Sequence, residues 1–134
     1  MNWQYIHSVL PQFFSATLTT LKISIISIFL AIIVGLICSI LITYRVRVLN
    51  RIAQFYIELS RNTPLLIQLF FLYYGLPKLG IKIDGFACGV IGLTFLGGSY
   101  MAEAFRAGLQ SVAKGQIDSA KSIGLQPTQI FRYV

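Results

Sequence analysis

The sequence is poor in charged residues, and this excludes most kinds of soluble enzyme. Only 11% of its 134 residues are charged, and just four are acidic, whereas a soluble domain carries about 25% charged residues. The chain has one histidine and two cysteines. These residues provide neither a catalytic triad, a pair of opposed carboxylates nor a cluster of metal ligands. We therefore expect no enzyme activity, no cofactor and no metal site.

Other absences narrow the function further. The chain has no glycine-rich phosphate loop with its lysine, so we do not expect it to bind ATP in that manner. The net charge of +7 does not indicate a nucleic acid partner, because the basic residues lie mostly beside apolar runs. The first seventeen residues contain no lysine or arginine, so no cleavable signal peptide is predicted.

The sequence is instead rich in long apolar segments. Hydrophobic residues make up 56% of the chain and are concentrated in three runs, each long enough for the roughly 20 residues that a helix needs to cross a bilayer. This predicts an all-α membrane protein with three transmembrane helices, at about residues 18–44, 53–76 and 86–106. The first run also carries a stripe of small residues, typical of helices that pack closely in lipid: Ser24, Ser27, Ala31, Gly35 and Ser39.

The distribution of arginine predicts the orientation in the membrane. Arg45, Arg47 and Arg51 follow the first apolar run with no acidic residue among them. Because lysine and arginine concentrate in cytoplasmic loops, we predict that this loop is cytoplasmic and that the N-terminus lies outside. Residues 1–16 are uncharged and aromatic, and we expect them to form an extracytoplasmic or interfacial segment. The loop at 79–85 is then external.

Pro64 is expected to disturb the second run, because proline removes a helical hydrogen bond and clashes with the preceding turn. Thr63 is a candidate cap for a new helix, with Pro64 at its first position. The sequence leaves two alternatives open: a kinked span, or a short cytoplasmic helix followed by a new one. Glu58 and Arg61, three residues apart on one helical face, are candidates for an ion pair.

A polar, glycine-bracketed segment follows the third run. Lys114–Gly115 is predicted to end the third helix, residues 116–123 to form a short helix, and Gly124 to cap it. Pro127 prevents that helix from continuing, and another helical stretch follows. A protein that only had to sit in lipid would not need these helices. We therefore predict that residues 113–134 project into the cytoplasm as a handle for another protein.

Few strongly polar side chains lie near the predicted spans. They are Gln68, Glu103 and Arg106. Glu103 and Arg106 are helical neighbours at i and i+3, which suits an interfacial ion pair or, alternatively, part of a polar path or gate.

Three stretches, in order, resemble the permease subunits of ATP-binding-cassette importers for polar amino acids, the histidine, glutamine, glutamate and arginine group. Residues 61–71 have the sequence Arg-Asn-Thr-Pro-Leu-Leu-Ile-Gln-Leu-Phe-Phe, and Tyr-Tyr-Gly-Leu-Pro follows at 73–77. The family typically has glycine where Asn62 stands. Residues 103–112 have the sequence Glu-Ala-Phe-Arg-Ala-Gly-Leu-Gln-Ser-Val. The third stretch is the handle.

The handle corresponds to the EAA loop of that family, which typically has Glu-Ala-Ala, three further residues and a glycine. Asp118, Ser119 and Ala120 occupy the first three places. Gly124 falls at the expected spacing. The resemblance thus implies that the residues coupling the chain to the ATPase are Gly115, Gln116, Asp118, Ser119, Ala120 and Gly124.

The resemblance implies a permease subunit in the cytoplasmic membrane of a bacterium, forming part of the path for a polar amino acid by alternating access. Its implied partners are an ATPase subunit, a second permease subunit of the same or a related kind, and an extracytoplasmic amino-acid-binding protein. The implied fold is part of a type I importer permease, a transmembrane domain over residues 17–134 with three spans and a cytoplasmic coupling-helix hairpin at 113–134. Family members have further spans after this point, so the chain is expected to be C-terminally truncated and inactive alone.

Two other classes of protein compete with this interpretation. A small self-assembling membrane protein, such as a pore former or an assembly factor, would account for the apolar helices but not for three ordered motifs. A membrane enzyme would need catalytic groups that the chain does not offer. Co-purification separates these classes, because a permease brings down an ATPase and a pore former brings down only itself.

Overall fold

The computed structural model describes residues 3–44 and 47–133, and every regular element within them is helical, as predicted. Arg45 and Val134 lie outside the described residues. The elements in chain order are α1 (Trp3–Thr43), α2 (Arg47–Asn62), α3 (Leu65–Phe70), a π-helical turn (Phe71–Gly75), a 3₁₀ turn (Leu76–Leu79), α4 (Gly85–Ser111), α5 (Lys114–Ser122) and α6 (Pro127–Tyr133).

The first helix is longer than predicted. α1 has 41 residues and contains Pro11 without ending there; at 1.5 Å per residue it is about 60 Å long. Pro11 removes one hydrogen bond near the exposed start of the helix, where water can replace it. Residue 16 is therefore not a helix boundary, although the interfacial location of residues 3–16 stays a prediction.

Within the described residues, two helices are long and apolar enough to cross a membrane by length and composition, α1 from His7 to Thr43 and α4. The predicted second span, 53–76, is not one uninterrupted helix. α2 ends at Asn62 and α3 starts at Leu65, so the predicted break at Pro64 is confirmed. The apolar segment beyond the break, Leu65–Leu79, is shorter than a usual span.

The break differs from the prediction in how its ends are capped. Pro64 itself is the residue before α3, with an extended backbone (φ −56°, ψ 136°) and no side-chain cap. The Thr63 hydroxyl points back and donates to the carbonyl of Leu59 at 2.8 Å. Thr63 therefore does not cap α3, because its hydroxyl bonds to the preceding turn instead of to the new helix.

The principal contact of the fold, between α1 and α4, depends on small residues. Ser27 and Ser39 of the predicted stripe are buried, and the hydroxyl of Ser27 donates to the carbonyl of Val90 on α4 at 3.4 Å. A Cβ atom on Gly35 would lie 2.5 Å from the Cβ of Met101 and 2.9 Å from the backbone nitrogen of Ala102. The two helices thus approach backbone to backbone, as close packing of small residues allows.

α2 packs against both α1 and α4, and α4 begins at a well-formed cap. The core between the three helices contains Cys38, Ala53, Ile57 and Ala102. Before α4, the side chain of Asp84 accepts a hydrogen bond from the backbone N–H of Ala87 at 2.8 Å. This bond satisfies one of the free N–H groups of the first turn.

Candidate functional site

A cluster of charged side chains joins α2 to α4. Oε2 of Glu103 accepts a hydrogen bond from Nη2 of Arg106 at 3.0 Å and lies 3.5 Å from Nη1 of Arg61. The Arg61 guanidinium also lies over the ring of Tyr100, 5.5 Å from its centroid, which is within the range of a cation–π contact. A single carboxylate oxygen of Glu103 therefore pairs with the guanidinium groups of both Arg61 and Arg106.

The cluster lines an open cavity of about 570 Å³, and Glu58, Gln54 and Asn62 also line it. The side chains of Glu103 and Arg61 are 31% and 43% exposed. Ion pairs as exposed as these add little to stability, typically about 0–1 kcal/mol. Guanidinium groups bind carboxylates, and carboxylates bind ammonium groups, so the cavity offers partners of both signs to a charged ligand.

The structure brings together only some of the residues predicted for a path. Glu103 and Arg106 are paired, as their spacing indicates. Gln68 does not line the cavity; its amide faces the end of α2. Within the described residues, Arg61 pairs with Glu103 and not with the predicted Glu58.

Two residues that the sequence analysis missed hold α2 in place. The hydroxyl of Tyr56 donates to the carbonyl of Phe95 at 2.6 Å, and the hydroxyl of Ser60 donates to the same carbonyl at 3.0 Å. The rings of Tyr56 and Phe95 meet edge to face, with centroids 5.0 Å apart. Because Ser60 precedes Arg61, these bonds place Arg61 opposite Glu103. No local pattern reveals this, since the partners lie far apart in sequence.

The predicted handle is a separate element. α4 ends at Ser111, and two extended residues, Val112 and Ala113, join it to α5. Among the described elements, α5 contacts α6 and no other helix. The prediction that Lys114–Gly115 ends the third helix is wrong, because the chain becomes extended before it. Gly115 lies in the first turn of α5, where a Cβ atom would meet nothing within 4 Å.

The end of α5 matches the prediction. Gly124 has a φ of +83°, its N–H donates to the carbonyl of Lys121 at 2.9 Å, and the N–H of Leu125 donates to the carbonyl of Ala120 at 3.1 Å. These two bonds define a Schellman motif, which favours glycine at the left-handed position. Of the six predicted coupling residues only Ala120 is buried; the exposed ones are Gly115, Gln116, Asp118, Ser119 and Gly124.

Comparison with known proteins identifies relatives over the whole chain. Residues 31–134 match the family described as binding-protein-dependent transport system inner membrane component. The probable amino-acid permease protein YxeN of Bacillus subtilis (strain 168) is 35% identical over 137 residues, covering 100% of this chain and 61% of that protein. The probable glutamine ABC transporter permease protein GlnP of the same organism is 38% identical over 117 residues, covering 87% of this chain and 54% of that protein. The chain thus spans 54% to 61% of these relatives.

A solved structure shares the fold. It is described as an amino acid ABC transporter with histidines, and it matches with a TM-score of 0.89 and 33% identity, covering 100% of this chain and 63% of that one. The resemblance inferred from the three motifs is therefore confirmed. The chain belongs to the family of binding-protein-dependent transport system inner membrane components.

Proposed function

We propose that this chain is part of the permease subunit of an ATP-driven importer of a polar amino acid, a multi-pass protein of a bacterial inner membrane with its N-terminus outside. The observation that carries the proposal is α5, an exposed helix that contacts only α6 among the described elements. In a chain of this family, such a helix suits docking to a separate ATPase. The relatives described as amino-acid and glutamine permeases support the substrate class.

The proposed coupling runs from the ATPase through α5 to α4. The ATPase subunits close on ATP and open after hydrolysis, and the hairpin of α5 and α6 follows them as a cytoplasmic coupling-helix hairpin. The link of Val112 and Ala113 is only two extended residues long. Because two residues cannot absorb a large displacement, a movement of α5 also moves the end of α4.

We propose that α2, α3 and the π-helical turn together make a third, broken crossing of the membrane. Two observations support it. α2 and the segment Leu65–Leu79 follow one another with only the break at Pro64 between them. Several large apolar side chains of α2 are exposed, and Val48, Ile52 and Phe55 are among them.

The proposed path or gate is the cavity that Glu103 and Arg106 line, and Arg61 joins them there. An amino acid carries a carboxylate and an ammonium group. Arg61 lies farther from Glu103 than Arg106 does, so its guanidinium is the freer of the two to meet a carboxylate. Gln68, the third residue predicted for the path, acts on it from α3, through its bonds to the end of α2.

The remaining proposed partners are a second permease subunit, of the same or a related kind, and an extracytoplasmic amino-acid-binding protein. The description of the family, a binding-protein-dependent system, supports the latter. We expect the 134-residue chain to be inactive alone.

Reconstitution of the full-length permease tests the proposal. Proteoliposomes with the co-purified ATPase and binding protein should take up a labelled polar amino acid only when ATP is supplied. Uptake that needs no ATP, or a permease that purifies without any ATPase, would count against an importer and favour a self-assembling pore.

Glu103→Gln tests the path. The change keeps the side-chain volume but removes the charge that holds Arg61 and Arg106. If Glu103 binds the ammonium group of the amino acid, losing that charge-assisted hydrogen bond, worth about 1.5–3 kcal/mol, should lower uptake roughly tenfold or more. Losing the exposed ion pairs should change the free energy of unfolding by less than about 1 kcal/mol. The matched control is Glu58→Gln, which changes the same cavity outside the paired cluster. Equal effects of the two substitutions would contradict a special role of Glu103.

A further inference from the structure

Pro64 leaves two carbonyl groups near the end of α2 without their helical partners. The carbonyl of Ser60 would normally accept from the N–H four residues on, but that residue is Pro64, which has none. The carbonyl of Thr63 would accept from the N–H of Ile67, but this N–H donates to the carbonyl of Pro64 at 3.0 Å. Ser60 is fully buried, so its carbonyl is poorly placed for water to serve.

The side chain of Gln68 supplies both missing bonds. Its Nε2 donates to the carbonyl of Ser60 at 3.1 Å and to the carbonyl of Thr63 at 2.9 Å. Both partners are carbonyl oxygens, which only accept, so the amide nitrogen must be the atom that faces them. The other amide atom, Oε1, is buried and has no partner within the described part of the chain. Both N–H donors of the Gln68 amide thus bond to carbonyl groups at the break, and neither faces the cavity.

Both sides of this bridge are fixed to α4. On the α2 side, the hydroxyl of Ser60 bonds to the carbonyl of Phe95. On the α3 side, Leu69 packs against Gly92 of α4. A Cβ atom on Gly92 would lie 2.6 Å from Cδ2 of Leu69. Gln68 therefore joins two helical segments that each also contact α4.

We propose that Gln68 is a positioning residue: its amide replaces the N–H that Pro64 lacks, sets the angle between α2 and α3, and thereby keeps Arg61 on Glu103. The consequence for transport rests on the proposed function, whereas the bridge itself does not. Gln68 is predicted to act without touching the transported amino acid.

The angle between α2 and α3 can be measured directly in the full-length protein. Spin labels at cysteines replacing Val48 on α2 and Lys78 beyond α3, with Cys38 and Cys88 changed to alanine, should give one narrow distance peak. Its distance should be shorter than the roughly 45 Å that an unbroken helix would span at about 1.5 Å per residue. Gln68→Leu should abolish the narrow peak, because α3 is no longer tied to α2. Gln68→Asn, which keeps the amide but is one methylene shorter, should broaden the peak less.

Pro64→Ala provides the decisive control. Alanine restores the backbone N–H for Ser60, so Pro64→Ala combined with Gln68→Leu should recover a narrow peak. Gln54→Leu is the same change on α2, at a residue whose side chain, among the described residues, bonds to Asn50 of its own helix; it should leave the peak unchanged. An unchanged peak in Gln68→Leu, or equal broadening with and without Pro64, would overturn the proposal.

Uptake kinetics separate this role from substrate binding. If Gln68 acts only through the break, Gln68→Leu should lower uptake, and Pro64→Ala combined with Gln68→Leu should restore it, because alanine supplies the missing N–H. An uptake defect that Pro64→Ala does not relieve would place Gln68 on the substrate and overturn the proposal. Failure of the proposed function would show separately, as the absence of ATP-dependent uptake by the unsubstituted protein, and the spin-label distances would still decide the role of Gln68.

Discussion

At the scale of single residues, the close approach of α1 and α4 depends on a glycine, which has no side chain. Gly35 is buried against Met101 and Ala102 with no room for even a methyl group. The sequence predicted this contact through its stripe of small residues, because spacings of three and four place them on one helical face. It could not predict which α4 residues they meet.

Gly35→Ala should therefore destabilise the bundle. The added Cβ meets backbone atoms that cannot rotate away, and overpacking of this kind costs about 1–3 kcal/mol. The measurement is the free energy of unfolding in detergent. Gly108→Ala is the control, because its Cβ would meet nothing within 4 Å and should gain roughly 0.5–1 kcal/mol of helix stability. Equal stabilities of the two variants would contradict the close contact of α1 and α4.

The charged cluster shows which contacts a residue pattern predicts and which it does not. The pairing of Glu103 with Arg106 follows from their i, i+3 spacing. The contact of Arg61 with Glu103 does not, since it depends on how α2 is seated on α4 by Tyr56 and Ser60. Gln68, a polar residue within an apolar run, is predicted from the sequence as a path residue. In the structure its amide donates to two carbonyl groups at the break, a contact that the sequence does not indicate.

At the scale of elements, local signals predicted the breaks better than the lengths. Pro64 and Gly124 each mark a boundary, as the physics of proline and of the left-handed backbone requires. The extent of α1 and the end of α4 were missed. The reason is that Pro11 lies within α1 without ending it, and the extended link at Val112–Ala113 contains no glycine or proline.

The start of α4 offers a test of an element boundary. Asp84→Ala removes the side-chain acceptor for the N–H of Ala87 and should cost about 0.5–2 kcal/mol. Asp84→Asn keeps the acceptor oxygen and should cost much less. Unfolding free energies in detergent compare the two variants. A loss as large in Asp84→Asn as in Asp84→Ala would show that the charge, and not the cap, matters at this position.

At the scale of the whole molecule, the proposed coupling to the ATPase depends on the orientation of the chain in the membrane. Arg47 and Arg51 lie in the first turns of α2 and not in a loop as predicted, and their positive charge predicts that this end of α2 is cytoplasmic. The chain from α4 through Val112 to α5 then ends on the same side if α4 crosses inward. Orientation cannot be read from the packing of helices alone, because the contacts of α1 with α4 are the same either way up.

Labelling in intact cells tests the orientation. With Cys38 and Cys88 changed to alanine, a cysteine replacing Lys82 should react with a membrane-impermeant thiol reagent, and a cysteine replacing Asn50 should not. Permeabilised cells, in which both positions should react, provide the control. The reverse pattern in intact cells would place α5 outside the cell, where no ATPase could reach it.

The central claim is that α5 couples the permease to its ATPase, and two glycines test it most directly. Gly80 and Gly124 both have positive φ, +86° and +83°, and a Cβ at either would meet nothing within 4 Å. Aspartate at either position should therefore cause the same local strain, roughly 1 kcal/mol. Only Gly124 caps the proposed docking helix.

The measurement is the amount of ATPase that co-purifies with the full-length permease from membranes, set against the amount of permease inserted. Gly124→Asp should insert normally but lose ATPase association and ATP-dependent uptake together, whereas Gly80→Asp should retain both. If Gly124→Asp binds the ATPase and transports as well as Gly80→Asp, α5 is not the coupling element and the functional account is wrong.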